Sequence, residues 1–182
     1  PSMGVNFSSD DLSDPTLVDR ISWELDRVGL APGRLAIEIL ETVISVADND
    51  VITRNIARLA DLGCRIDLDD FGTGHASITN IRRYFVDRIK IDSTFVRSVD
   101  TDREQQKMLT AILEMAHRLE LETLAEGVET QGEHALLSQL GCTHVQGYYI
   151  AKAMPPETAL DWLLQRRDQQ TTFPELPKNT GS

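Results

Sequence analysis

"CRIDLDDFGTG", residues 64–74, decides how the rest of the chain is read. Ile66 and Leu68 alternate with polar neighbours, as in a strand with a buried face. The run then sets two carboxylates side by side, Asp69 and Asp70, and passes into Phe-Gly-Thr-Gly. Like charges at a strand's end have two readings: they cap a solvated loop, or they hold something positive.

Working outward, apolar runs recur at 3–7, 34–40, 64–69, 87–92, 122–127 and 143–150. Segments with helical spacing lie between them. In 15–29, Leu17, Ile21 and Leu25 share a face, with Asp14 as the expected cap, Pro15 in the first turn and Gly29 as the stop. Val51, Ile52, Ile56, Leu59 and Leu62 form a second stripe that ends at Gly63. A third is predicted from Met108, Ile112, Met115 and Leu119. Shorter helices fit 77–84, 131–141 and 155–167. Strands alternating with helices argue for a parallel α/β sheet with helices outside. A doubly wound sheet gathers its chemistry at one switch point, whereas a (β/α)₈ barrel spreads it over many strand ends. Here nearly every strand end is polar: Asn6, Glu38, Asp69 with Asp70, Lys90, Glu126 and Gln146. That distribution suits a barrel mouth, with this chain covering the last six strand–helix units and two lying upstream.

Composition narrows the function. The 182 residues carry 29 acids against 18 Lys plus Arg, for a formal net charge of −11. Binding polymeric nucleic acid needs a basic stripe, so that class is set aside. A small phosphorylated ligand stays compatible if cations stand between it and the acids. Cys64 and Cys142 make no disulfide framework, which favours a reducing, cytoplasmic setting. No apolar run reaches membrane-span length, and no signal peptide is visible. The opening "PSMGVNFS" reads as a fragment start, and "TTFPELPKNTGS" as a frayed end.

Carboxylates of Glu38, Asp69, Asp70 and Glu126, with the amide of Asn6, would repel one another in a small volume unless cations joined them. Oxygen donors suit Mg²⁺ or Mn²⁺, and paired metals about 3.5–4 Å apart serve phosphoryl chemistry. Asp69 is placed to bridge two cations while Asp70 reaches one, and Lys90 adds a donor for a phosphate or a water. Each residue alone has a plainer explanation as a solvated rim group. Their joint occurrence at equivalent strand ends is what favours the site.

"VNFS" (5–8), "IEILET" (37–42), "DLDDFGTG" (67–74), "RIKIDSTFV" (88–96), "LAEGVET" (124–130) and "VQGYYIAKAMP" (145–155) resemble the successive motifs of the EAL domain. That family comprises bacterial phosphodiesterases for cyclic di-GMP. The resemblance implies a modified (β/α)₈ barrel with one antiparallel strand, an EAL domain over residues 1–167 and a C-terminal tail at 168–182. It implies that Asn6, Glu38 and Asp69 bind one divalent cation, and that Asp69, Asp70 and Glu126 bind a second, both Mg²⁺ or Mn²⁺. A water held with the help of Lys90 would attack phosphorus in line and give linear pGpG. Glu41 would steady the loop after the paired acids. Glu129 and Gln146 would lie in the same mouth. Gly72 and Gly74 would let the loop bend back over the site. A homodimer is expected through that loop and the helix at 103–119. Sensory or diguanylate cyclase domains are expected upstream, in a parent for which a membrane anchor is left open.

The chain also departs from the pattern. The Glu-Ala-Leu motif that names the family has no match here, and its place falls before Pro1. Leu40 stands where Thr is common, and "GHAS" (74–77) replaces "GYSS" and introduces His75. A piece lacking two strands is expected to be unstable alone or to pair with another copy. The reading that competes with catalysis is a receptor that binds cyclic di-GMP without cleaving it.

Overall fold

The computed structural model describes residues 2–46, 50–72 and 78–170, and it divides into two compact units, residues 1–150 and 151–182. Gly74 and His75 fall outside the described residues. In the first unit, β1 (Met3–Phe7), β2 (Leu35–Leu40), β3 (Arg65–Phe71), β4 (Arg88–Ile91), β5 (Glu122–Ala125) and β6 (His144–Val145) form one sheet. The helices of that unit follow the strands. They are α1 (Ser9–Leu12), α2 (Leu17–Val28), α3 (Glu41–Val46), α4 (Asp50–Leu62), α5 (Ile78–Arg83), α6 (Ser93–Val96), α7 (Arg103–Arg118) and α8 (Gln131–Gln139). The second unit contributes α9 (Pro156–Gln170), on which the Arg166 guanidinium lies over the Trp162 ring.

Strand order follows chain order from β1 to β6, and every neighbouring pair is parallel. A doubly wound sheet reverses its order at a switch point. None occurs among these six strands, so the winding is that of a barrel wall. Side chains alternate between the two faces. One face is apolar: Ile37 and Ile39 of β2, Ile66 and Leu68 of β3, and Ile89 and Ile91 of β4 are each at most 1% exposed. They pack with Leu17, Val18 and Leu25 of α2 and Ile52, Ile56 and Leu59 of α4, or, toward β5, with Leu109 and Leu113 of α7 and Leu137 of α8. Burial of each such aliphatic side chain contributes about 1.5–3 kcal/mol.

Three local expectations are corrected. Asp14 does not cap α2; its Oδ1 accepts from the Thr16 amide and hydroxyl, each at 2.8 Å, and builds a turn that delays the helix to Leu17. On α7 the buried residues are Leu109, Leu113 and Ala116, while Met108 is 52% exposed. Two stripes one residue apart satisfy the same helical spacing, and docking on the sheet selects the second; Ile112 and Met115 lie at its margin. Finally, β6 is only two residues long. Beyond Val145 the backbone turns to the loop after β5, where Val128 N donates to Gln146 O and Tyr149 N to Val128 O, both at 3.0 Å.

A candidate metal centre at the carboxyl ends of the strands

The other face of the sheet is charged, and its charges are layered along the strands. Near the amino ends, Arg65 pairs with Glu122, whose Oε2 is also 3.0 Å from His144 Nε2. One layer up, Arg88 pairs with the fully buried Asp67. Burial pushes the Asp67 carboxyl above its ordinary pKa, only partly opposed by Arg88. At the carboxyl ends, Lys90 of β4 gathers acids from three other segments. Its Nζ lies 2.6 Å from Glu38 Oε2, 2.9 Å from Asp69 Oδ1 and 2.9 Å from Glu126 Oε1. Burial would lower the Lys90 pKa, but these three hydrogen-bonded carboxylates outweigh it and hold the ammonium well above its ordinary value.

Adjacent residues of a regular strand point to opposite faces, so Asp69 and Asp70 should not converge. They do, because the β3–β4 register shifts between Leu68 and Phe71, and Asp70 takes a left-handed φ of 55°. Such an irregularity re-aims a side chain. Asp69, Asp70 and Glu126 thereby offer one carboxylate oxygen each, all within 4.8 Å of one another. Burial first, and then the neighbouring charges of Asp69 and Asp92, raise the Asp70 pKa. Glu126 is likewise raised by burial, and Lys90 opposes the shift. Oxygen donors held this close, with one ammonium against several carboxylates, are the environment that a hard divalent cation stabilises.

The flanking loops are pinned from several sides. Glu41 Oε2 accepts from the Gly72 amide at 3.0 Å, holding the turn that leaves the paired acids. Gly72 has a φ of 102° and sits against the Phe95 ring, where a Cβ would collide. Gly127, with a φ of 69°, meets the Ser93 side chain in the same way. The short α6 therefore wedges between the loops after β3 and β5, and only glycine satisfies both the torsion and the approach. Asn6 is exposed and stands opposite Glu38 in the β1–β2 register. Glu129 and Gln146 are exposed, and Gln146 is placed by its backbone bonds to Ala125 and Val128.

The sequence reading thus named Glu38, Asp69, Asp70, Lys90 and Glu126, which the fold brings into one cluster. It missed the ion pairs beneath, and it missed Glu133, a buried acid bonded to the loop after β5. The signal for Glu133 was present: Thr130 followed three residues later by Glu is a capping-box pattern.

A family model for the EAL domain matches residues 1–153. The signaling protein YkoW of Bacillus subtilis is 32% identical over 169 residues, 92% of this chain and 21% of that protein. Cyclic di-GMP phosphodiesterase NbdA of Pseudomonas aeruginosa is 33% identical, over 84% of this chain and 19% of its own length. This chain therefore spans about a fifth of the curated relatives it matches. Among solved structures, the PaMucR phosphodiesterase in complex with c-di-GMP is 32% identical with a TM-score of 0.79, covering 87% of this chain and 64% of that one.

Proposed function

The chain belongs to the EAL domain family, and from that premise we propose that it hydrolyses cyclic di-GMP to linear pGpG at the acidic cluster. The observation that carries the reading is the convergence of Asp69, Asp70 and Glu126 within 4.8 Å, at strand ends that a regular strand would have kept apart. Kinship with NbdA, and with a structure holding c-di-GMP, supports the substrate.

The donors suit hard divalent cations, since they offer oxygen and neither sulfur nor imidazole, and two ions, Mg²⁺ or Mn²⁺, are proposed. Asp69, Asp70 and Glu126 would hold one of them. Asn6 and Glu38 would hold the other, with Asp69 shared. When bound, such ions polarise a phosphoryl oxygen and acidify a water. The chain's own groups do the rest. Lys90 keeps Glu38, Asp69 and Glu126 turned toward a common centre with its three N–H donors, and a donor released when one of these carboxylates turns to a cation would serve the attacking water. Glu41 and Gly72 hold the loop after the paired acids in place. Glu129 and Gln146, exposed at the same mouth, are assigned to the nucleotide. In the reaction, the water oxygen forms a bond to phosphorus and gives up one proton, one P–O3′ bond breaks, and the released 3′ oxygen takes up one proton in balance. The opened product carries a 5′-phosphate.

Residues 1–167 are proposed as the EAL domain and 168–182 as a tail. A homodimer is proposed through α7, where Arg103, Gln106, Lys107, Thr110, Ala111 and Glu114 line a depression of about 470 Å³. The chain's small share of its relatives supports a longer parent; sensory or diguanylate cyclase domains upstream, and a cytoplasmic place for this portion, are proposed from the family resemblance. Incubation with cyclic di-GMP and Mn²⁺, followed by chromatography, tests the activity. The expected result is pGpG that disappears with a chelator. Binding of intact cyclic di-GMP without cleavage would replace the hydrolase reading with a receptor.

A further inference from the structure

We propose that Glu133 is a positioning residue for the loop bearing Glu126 and Glu129, an inference that rests on the hydrolytic reading above. Glu133 is 4% exposed and lies in the first turn of α8. Its Oε2 accepts from the Glu129 amide at 2.9 Å and the Thr130 amide at 3.0 Å, and its Oε1 accepts from the Ser98 amide at 2.9 Å. A capping box requires only the exchange with Thr130, whose hydroxyl accepts from the Glu133 amide at 3.1 Å. The bonds to Glu129 and Ser98 exceed what starting a helix needs. They join the loop after β5 to the loop between α6 and α7.

The seam has a second stitch. Gly132 sits so close to Asp100 that a Cβ would meet its carboxylate, so the first turn of α8 docks twice on residues 98–100. Ser98 itself holds a left-handed φ of 59°. Around the seam, Val99 and Val128 are fully buried, while Ser98, Glu129 and Thr130 are exposed residues whose amides Glu133 holds in part-buried hydrogen bonds. Meanwhile Gly127 is seated on Ser93, and Val128 is bonded to Gln146 and Tyr149. Residues 126–130 are thus clamped between α6, the stretch after β6 and the Glu133 carboxylate. Glu126, at the start of this segment, reaches Lys90. A loose segment would move the Glu126 oxygen relative to Asp69 and Asp70. Three N–H groups converging on one side chain suit a carboxylate, whereas an amide satisfies only part of the set.

The test uses the full chain, with Glu133→Ala and Glu133→Gln beside the wild type. Turnover of cyclic di-GMP, Mn²⁺ affinity by calorimetry and amide exchange at Ser98, Glu129 and Thr130 are measured well below each melting temperature. Expected for Glu133→Ala is a fall in kcat of about 10-fold or more with KM little changed, and weaker Mn²⁺ binding. Glu133→Gln should recover part of the kcat, with faster exchange at the three amides. Wild-type kcat and Mn²⁺ affinity in folded Glu133→Ala would overturn the proposal. Should Glu133→Ala not fold, unchanged amide exchange and Mn²⁺ affinity in Glu133→Gln would overturn it equally. A wild type that fails to hydrolyse cyclic di-GMP would defeat the hydrolytic reading, while exchange and Mn²⁺ affinity still decide the role of Glu133.

Discussion

At Asp70 the backbone holds a φ of 55°, a region that costs most L-residues about 1–2 kcal/mol and that Asp tolerates better than branched residues do. That torsion turns a strand pair that should diverge into two neighbouring carboxylates. Asp70→Val should therefore destabilise the chain by about 1–2 kcal/mol relative to Asp70→Gly, which keeps the torsion without strain. Urea denaturation of both variants in chelator reads the difference, and equal stabilities would mean that the torsion is not fixed by the bulge. Lys90 supplies the charge that balances the cluster. In Lys90→Met, Glu38, Asp69 and Glu126 lose their counter-charge, and the metal-free chain should lose about 3 kcal/mol. Added Mn²⁺ should then raise its melting temperature more than it raises that of the wild type. A melting curve insensitive to both changes would deny Lys90 this role. The pairing of Asp69 with Asp70 was legible in the sequence; their convergence was not, because it depends on a register shift between two strands.

The elements show a similar division between what local pattern carries and what packing decides. The strands and long helices were legible from alternation and spacing. The four-residue α1 and α6 are too short to carry a period, yet α6 fixes Gly72 and Gly127. The α7 stripe was read one residue off, since helical spacing alone does not say which of two adjacent stripes faces a sheet. Leu109→Ala should cost about 2–5 kcal/mol. Met108→Ala should stay within about 0.5 kcal/mol, as exposed positions do. The reverse order in denaturant melts would restore the original stripe. At the head of α8, burial would raise the Glu133 pKa, but the amides of Glu129, Ser98 and Thr130 outweigh it and hold it below the ordinary 4.5. A carboxyl depressed in the folded state stabilises it fully above the unfolded pKa, and the contribution fades as pH falls through the folded one. Wild type and Glu133→Gln should thus differ most in stability near neutrality and converge in acid. Parallel pH–stability curves would contradict this linkage.

For the molecule as a whole, the net charge of −11 argues against a nucleic-acid groove but does not reveal how the charge is arranged. One face of the sheet carries the apolar core, and the other carries stacked ion pairs that end in an acidic cluster. Arg65 with Glu122 and Arg88 with Asp67 were not legible, because each pair is separated by 57 or 21 residues and meets only through strand register. Both cysteines are free. Among the described residues, no helix is long and apolar enough to cross a membrane. The central claim is that the irregular end of β3 builds a cation site with Glu126, and calorimetric titration of the full chain with Mn²⁺ tests it most directly. The wild type should bind Mn²⁺ reversibly, and Asp69→Asn should bind it at least about 10-fold more weakly while keeping its melting temperature in chelator. A wild type that takes up no Mn²⁺, or an Asp69→Asn variant that binds it as the wild type does, would contradict the claim.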